Sequence, residues 1–234
     1  MNGAFIQRLI FSRGEFNLEI EKVEIQPGEV LGVMGKSGSG KTSLLQAVSG
    51  FLSVSSGSIQ VNGKEIGVFP PEKRGAVLVF QKPWLFEHQT VLENVCFGLK
   101  LQGKSKKECS DLAQQWLVKM EISHLENKRA WEISGGEAQR VALARAMAVH
   151  FPLILLDEPF SALDAPLRQG LRKLLKELIS ESKACGILVS HDWKDIQELA
   201  ERVLVLSGGR VLALEKVSQI QNHSNAEVRA ICAD

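Results

Sequence analysis

The string GKSGSGKT at residues 35–42 matches the pattern G-x-x-x-x-G-K-[ST] through Gly35, Gly40, Lys41 and Thr42. Its chemistry is phosphate binding. Glycines let the backbone wrap closely around phosphates with its N–H groups turned inward. A helix that starts directly after them adds a positive N-terminal end. Lys41 would place a cation on the β- and γ-phosphates, and Thr42 would offer a hydroxyl to Mg²⁺. Lys36, Ser37, Gly38 and Ser39 inside the loop, with Ser43 after it, complete the expected cradle. Glycine makes up about 7% of an average protein, so a chance match in a chain of this length has odds on the order of one per cent. Alone, the loop implies a nucleotide and is common to kinases, GTPases and ATPases.

A second group supplies acids. Leu153, Ile154, Leu155 and Leu156 run into Asp157 and Glu158. An apolar strand ending in a carboxylate is the Walker B arrangement. Asp157 would hold Mg²⁺, mainly through water. Glu158 would act on an attacking water as general base or orienting group. Without a phosphate loop upstream, the same run would equally describe a buried strand ending in exposed acids. A third group is Ile133-Ser134-Gly135-Gly136-Glu137. Ser134 can cap the following helix, and the two glycines let that helix approach a ligand closely. A plain helix cap is the alternative.

Rigid elements must bring these groups together. Short apolar runs at residues 16–20, 23–25 and 30–34, separated by turn signals, read as strands. The last leads straight into the glycine loop, and 42–48 looks helical, which is the context a phosphate loop needs. Residues 59–61 before Asn62-Gly63 read as a strand and tight turn, and 77–80 as another strand. Between 83 and 148 helical patterns dominate, as at 106–120 and 136–149. Strands return at 153–156 and 186–190 and helices at 167–181 and 193–200. Residues 203–206 and 210–213 read as a hairpin around Ser207-Gly208-Gly209. The pattern is an α/β core interrupted by a helical insertion.

Read together, the motifs resemble those of the ATP-binding cassette (ABC) nucleotide-binding domain. ISGGE is similar to that family's LSGGQ signature. Gln81, after the strand at 77–80, matches the Q-loop glutamine. Ser161-Ala162-Leu163-Asp164 matches the D-loop, and His191 in Ser190-His191-Asp192 matches the switch histidine. The resemblance covers nearly the whole chain. It implies a P-loop NTPase core with a mixed or parallel sheet, an N-terminal antiparallel β region and an inserted α-helical subdomain. The core would take residues 1–82 and 149–234, and the helical part 83–148.

The resemblance also implies roles. ATP with Mg²⁺ would sit between two cassettes, a second copy or a homologous ATPase subunit. Ser134, Gly135, Gly136 and Glu137 of one would face the loop of the other. Glu158, His191 and Gln81 would serve hydrolysis, Thr42, Gln81 and Asp157 would hold the metal, and Asp164 would link the two sites. An aromatic residue is expected to stack on adenine. The chain has no Tyr, so Phe11 is the first choice and Phe16 the second. Residues 69–95 resemble bacterial importers, where Trp84, Leu85 and Phe86 would contact a transmembrane permease subunit; local core packing is the other reading. A substrate-binding protein would act through that permease. An exporter ATPase, or a non-transport cassette in DNA repair or translation, is the alternative.

Bulk properties agree with such a protein at the cytoplasmic face of a membrane. The chain has 234 residues and 28 basic against 27 acidic side chains, a net charge of +1. No overall field favours nucleic acid, and none is expected as a partner. Cys96, Cys109, Cys185 and Cys232 are scattered without a CxxC pair, which argues against a disulfide framework or zinc site. The N-terminus lacks the apolar run of a signal peptide, and no stretch reaches the ~18 apolar residues of a membrane span.

Overall fold

The structure, a computed structural model, describes residues 2–14 and 16–233. The strands are β1 (Ala4–Arg13), β2 (Phe16–Ile25), β3 (Val30–Gly35), β4 (Ser56–Val61), β5 (Lys64–Glu65), β6 (Ala76–Val79), β7 (Leu153–Asp157), β8 (Cys185–Val189), β9 (Arg202–Ser207) and β10 (Arg210–Lys216). The helices are α1 (Lys41–Ser49), α2 (Val91–Leu101), α3 (Lys106–Lys119), α4 (Gly135–Met147), α5 (Ala165–Ser182), α6 (Trp193–Leu199), α7 (Val217–Ile220) and α8 (Ala226–Ile231).

One mixed sheet runs in the order β5-β4-β1-β2-β10-β9-β3-β8-β7-β6. β3 pairs in parallel with β8 and β9, and β7 in parallel with β8. Every residue of β7 and β8 is buried, as is all of β3 before Gly35. Continuous Val, Ile and Leu runs are what parallel strands covered on both faces require. Leu44, Leu45 and Val48 of α1 join the same core as Leu31, Val33, Leu155, Ile187 and Leu204. The antiparallel strands β1, β2 and β4 form the other end of the same sheet.

Strands β1 and β2 are among those that differ from the sequence expectation. Residues 16–20 and 23–25 form a single strand, and residues 4–13 form a strand that the alternation did not signal. The cause is shared. In β2, Glu21 and Lys22 are both exposed and reverse the in-out alternation. In β1, Gln7 and Arg8 do the same, with Arg8 at φ 48°. The register between β1 and β4 shifts between Gln7 and Ile10. A bulge re-aims the side chains without ending the strand, so a period-2 reading breaks there.

The chain separates into two compact units. The first runs to Leu78 and includes Phe151–Glu158 and the residues from Arg172 onward; the second holds Val79–His150 and Pro159–Leu171. Residues 159–171 thus cluster with the helices, whereas the sequence reading placed them in the core. In the second unit α2, α3 and α4 each begin with a capping box, Thr90 with Glu93, Ser105 with Glu108, and Ser134 with Glu137. Each box satisfies two orphan backbone N–H groups, which fixes where each helix starts.

Candidate active site

In the first unit, β3 delivers the glycine loop and α1 starts at Lys41. Two glycines are required by shape. A Cβ on Gly35 would collide with the Leu206 carbonyl and Ser39 Oγ, and one on Gly40, at φ 105°, would lie 2.9 Å from the Phe16 ring. Lys41 folds back over the loop: its Nζ donates to the carbonyls of Gly35 at 2.7 Å and Lys36 at 3.1 Å. Burial lowers the Lys41 pKa, against the raising influence of Glu158 and Asp157. The Lys36 ammonium instead lies 3.5 Å from Glu227, which also accepts from Ser207 Oγ.

Thr42 Oγ1 donates to Asp157 Oδ1 at 3.3 Å. Burial raises the Asp157 pKa, opposed by that hydrogen bond and by Lys41. Glu158, the next residue, leaves the strand at φ 49° while its N–H donates to the Val189 carbonyl at 2.9 Å. A left-handed conformation is uncommon outside glycine and costs about 1–3 kcal/mol. It turns the Glu158 carboxylate toward His191, whose Nδ1 is 2.8 Å from Glu158 Oε2. Burial raises the Glu158 pKa, against the lowering influence of the His191 hydrogen bond.

The arrangement fits a nucleotide phosphate. Ser39 Oγ is buried without a hydrogen-bond partner among the described residues, and an orphan polar group costs about 1–3 kcal/mol unless a ligand takes it up. The Thr42 hydroxyl and Asp157 carboxylate offer hard oxygen donors suited to Mg²⁺. Among the described residues no group of three His, Cys, Asp or Glu side chains could hold a metal alone. Mg²⁺ commonly binds through one or two carboxylates plus substrate phosphates, so the donor set is consistent with that use.

The second unit carries the signature string. Ser134 caps α4: Glu137 N donates to Ser134 Oγ at 3.3 Å, and Ser134 Oγ and N both donate to Glu137 Oε2 at 2.7 Å. Gly135 and Gly136 form the first turn. A Cβ on Gly136 would come within 3.0 Å of the Ala162 carbonyl, while Gly135 has open space. Gln81 and Asp164 belong to this unit and are exposed. Asp164 precedes α5 and accepts from Leu167 N at 3.1 Å.

The family model described as ABC transporter matches residues 18–161. The chain belongs to the ABC transporter family. The spermidine/putrescine import ATP-binding protein PotA of Pseudomonas fluorescens (strain Pf0-1) is 39% identical over 197 residues, 84% of this chain and 55% of the relative. The sulfate/thiosulfate import ATP-binding protein CysA 2 of Rhizobium meliloti (strain 1021) is 40% identical over 210 residues, 88% and 57% of the two chains. The chain spans about half the length of these curated relatives. Among solved structures, the dimeric structure of MJ0796, a bacterial ABC transporter cassette, superposes with a TM-score of 0.83 at 29% identity, covering 92% of this chain and 98% of that one.

The cassette's remaining expected residues divide. Lys41, Thr42, Asp157, Glu158 and His191 lie in one unit, and Gln81, Ser134 to Glu137 and Asp164 in the other. Phe11, the first choice for adenine, is 4% exposed and packs in the core of the sheet. Phe16, half-buried, packs against Gly40 and is the aromatic beside the loop. Trp84 is 62% exposed, so core packing does not describe it. Arg145 holds its backbone through the carbonyls of Trp84 and Pro83, both at 3.1 Å. Fully buried Asn94 brackets Phe86 through its N–H at 2.8 Å and its carbonyl at 3.1 Å. Sequence reasoning did not find Arg172, Asp195 and Ser190 behind His191; the polar Ser190-His191-Asp192 run was the available signal.

Proposed function

We propose that this chain is the ATP-binding and ATP-hydrolysing subunit of a membrane ABC transporter of import type, working as a pair of cassettes that drives transmembrane subunits at the cytoplasmic face. The contact of Glu158 with His191, in the same unit as Lys41, Thr42 and Asp157, carries the hydrolytic reading. Loop N–H groups and Lys41 would bind and orient the phosphates. Glu158 would take the proton of the attacking water, and an ionised Glu158 would hold the His191 ring through its Nδ1–H. Thr42 and Asp157 would hold Mg²⁺, which supplies charge neutralisation on the phosphates.

The import-type reading is supported by the names of the relatives. These divide between spermidine/putrescine and sulfate/thiosulfate import at nearly equal identity. A cassette shared by such different cargoes leaves cargo choice to other subunits. The outward-held Trp84, beside half-buried Leu85 and Phe86, is the apolar surface we assign to a permease helix. No helix among the described residues is long and apolar enough to cross a membrane.

Pairing is testable by complementation. Lys41→Met spoils the loop and Ser134→Arg spoils the signature, so each alone is expected to be inactive. Mixed, half of the site combinations in a heterodimer regain an intact loop and an intact signature. Phosphate release that reappears on mixing supports a site shared between copies, and silence from two folded variants overturns it. A second expectation concerns adenine. Phe16→Ala should weaken ATP binding roughly 5- to 150-fold, following the ~1–3 kcal/mol of base–aromatic stacking. Calorimetry should show inorganic tripolyphosphate binding unchanged. Phe11→Ala should lower stability by about 3–5 kcal/mol, as for a buried aromatic.

A further inference from the structure

Among the described residues the His191 side chain makes one hydrogen bond, to Glu158, and its ring is largely exposed, at 72%. Its placement must come from the residues on either side. Ser190 before it is fully buried and donates through Oγ to Asp195 Oδ2 at 2.6 Å. Asp192 after it donates its N–H to the same Ser190 Oγ at 3.1 Å, and its side chain caps α6 by accepting from Lys194 N at 2.8 Å. Behind this turn lies Arg172 of α5, whose side chain is 4% exposed. Its Nε donates to Asp195 Oδ1 at 2.7 Å, and its terminal nitrogens lie 3.4 Å from Asp192 Oδ2 and 3.5 Å from Glu198 Oε2.

A buried guanidinium among carboxylates is a poor device for stability. Desolvation offsets most of the attraction, and apolar replacements of similar volume are often neutral. What such a network does supply is geometry. Arg172 fixes Asp195, and Asp195 fixes the Ser190 hydroxyl. That hydroxyl in turn fixes the N–H of Asp192, leaving His191 strung between two anchored neighbours. We propose that Arg172, with Asp195 and Ser190, is a positioning residue for hydrolysis, holding His191 at its contact with Glu158. This rests on the role of His191 proposed above.

The test is a double-mutant cycle on the intact chain with steady-state phosphate release, ATP affinity and melting temperature. Arg172→Leu combined with Asp195→Leu removes the charges together and avoids stranding a buried carboxylate. Ser190→Ala, a smaller change, covers the case in which that pair fails to fold. In either background kcat is expected to fall about 10- to 100-fold, the usual cost of losing an orienting partner, with ATP affinity within twofold. With His191→Ala already present, the same changes are expected to have no further effect on kcat. A further loss in that background, or unchanged kcat with His191 intact, overturns the positioning role alone. Normal turnover of His191→Ala by itself overturns the reading of His191 and this inference with it.

Discussion

Glu158→Gln is expected to lower kcat for ATP hydrolysis by about 10²- to 10⁴-fold, the range for loss of a positioned general base, while ATP affinity stays nearly unchanged. The amide keeps the shape of the side chain and can still bond His191 Nδ1, but it cannot take a proton from water. Two features support the assignment. The chain accepts an uncommon φ of 49° at Glu158 to bring the carboxylate to 2.8 Å from His191. Burial also raises the Glu158 pKa, which makes the carboxylate a stronger base than an ordinary surface glutamate. The acid side of the kcat/KM profile, which reports the free enzyme, should therefore lie higher than for an ordinary glutamate. Under the paired-cassette reading, the variant should also accumulate as an ATP-dependent dimer by light scattering. Native turnover in Glu158→Gln would sink the assignment.

The parts of this site that depend on neighbouring residues were legible in the sequence. The loop, the acids after residues 153–156 and the Ser134 cap each need only local spacing. Their helices and strands begin within a residue or two of the expected places. What depends on pairing was not legible. Glu158 and His191 are 33 residues apart, and they meet because β7 and β8 run parallel with Asp157 opposite Val189. Distance along the chain from Pro27-Gly28 favours Phe11 over Phe16. The strand pairing buries Phe11 opposite Leu18 and leaves Phe16 at the start of β2 beside Gly40. Arg172 read as one more polar position of an amphipathic helix, since nothing in its own segment signals the Asp195 that neutralises it. Residues 159–171 continue from a core strand in the sequence, yet their contacts lie with the helical unit.

Lys41→Met carries the other large expected effect, a loss of ATP affinity of about 2–5 kcal/mol, as for truncation of one partner of a buried charge pair. Its cause can be separated from damage to the fold. Burial holds the Lys41 pKa below its ordinary value even though Asp157 and Glu158 act to raise it. For a lysine with a lowered folded-state pKa, the unfolded chain binds more protons between the folded and unfolded pKa values, and stability rises with pH there. Below that window the ammonium therefore opposes folding. Removing it should not lower the melting temperature of the protein without nucleotide. The native protein should gain melting temperature with ATP, by linkage to binding, and the variant should gain almost none. A variant that melts well below the native protein in the absence of ATP would mean that the hydrogen bonds from Lys41 to the Gly35 and Lys36 carbonyls hold the loop together. The lysine would then be a structural clasp before it is a phosphate ligand. A variant with native melting and no ATP response would place its whole contribution in binding. That is the outcome expected of a cation held half out of water until phosphates arrive.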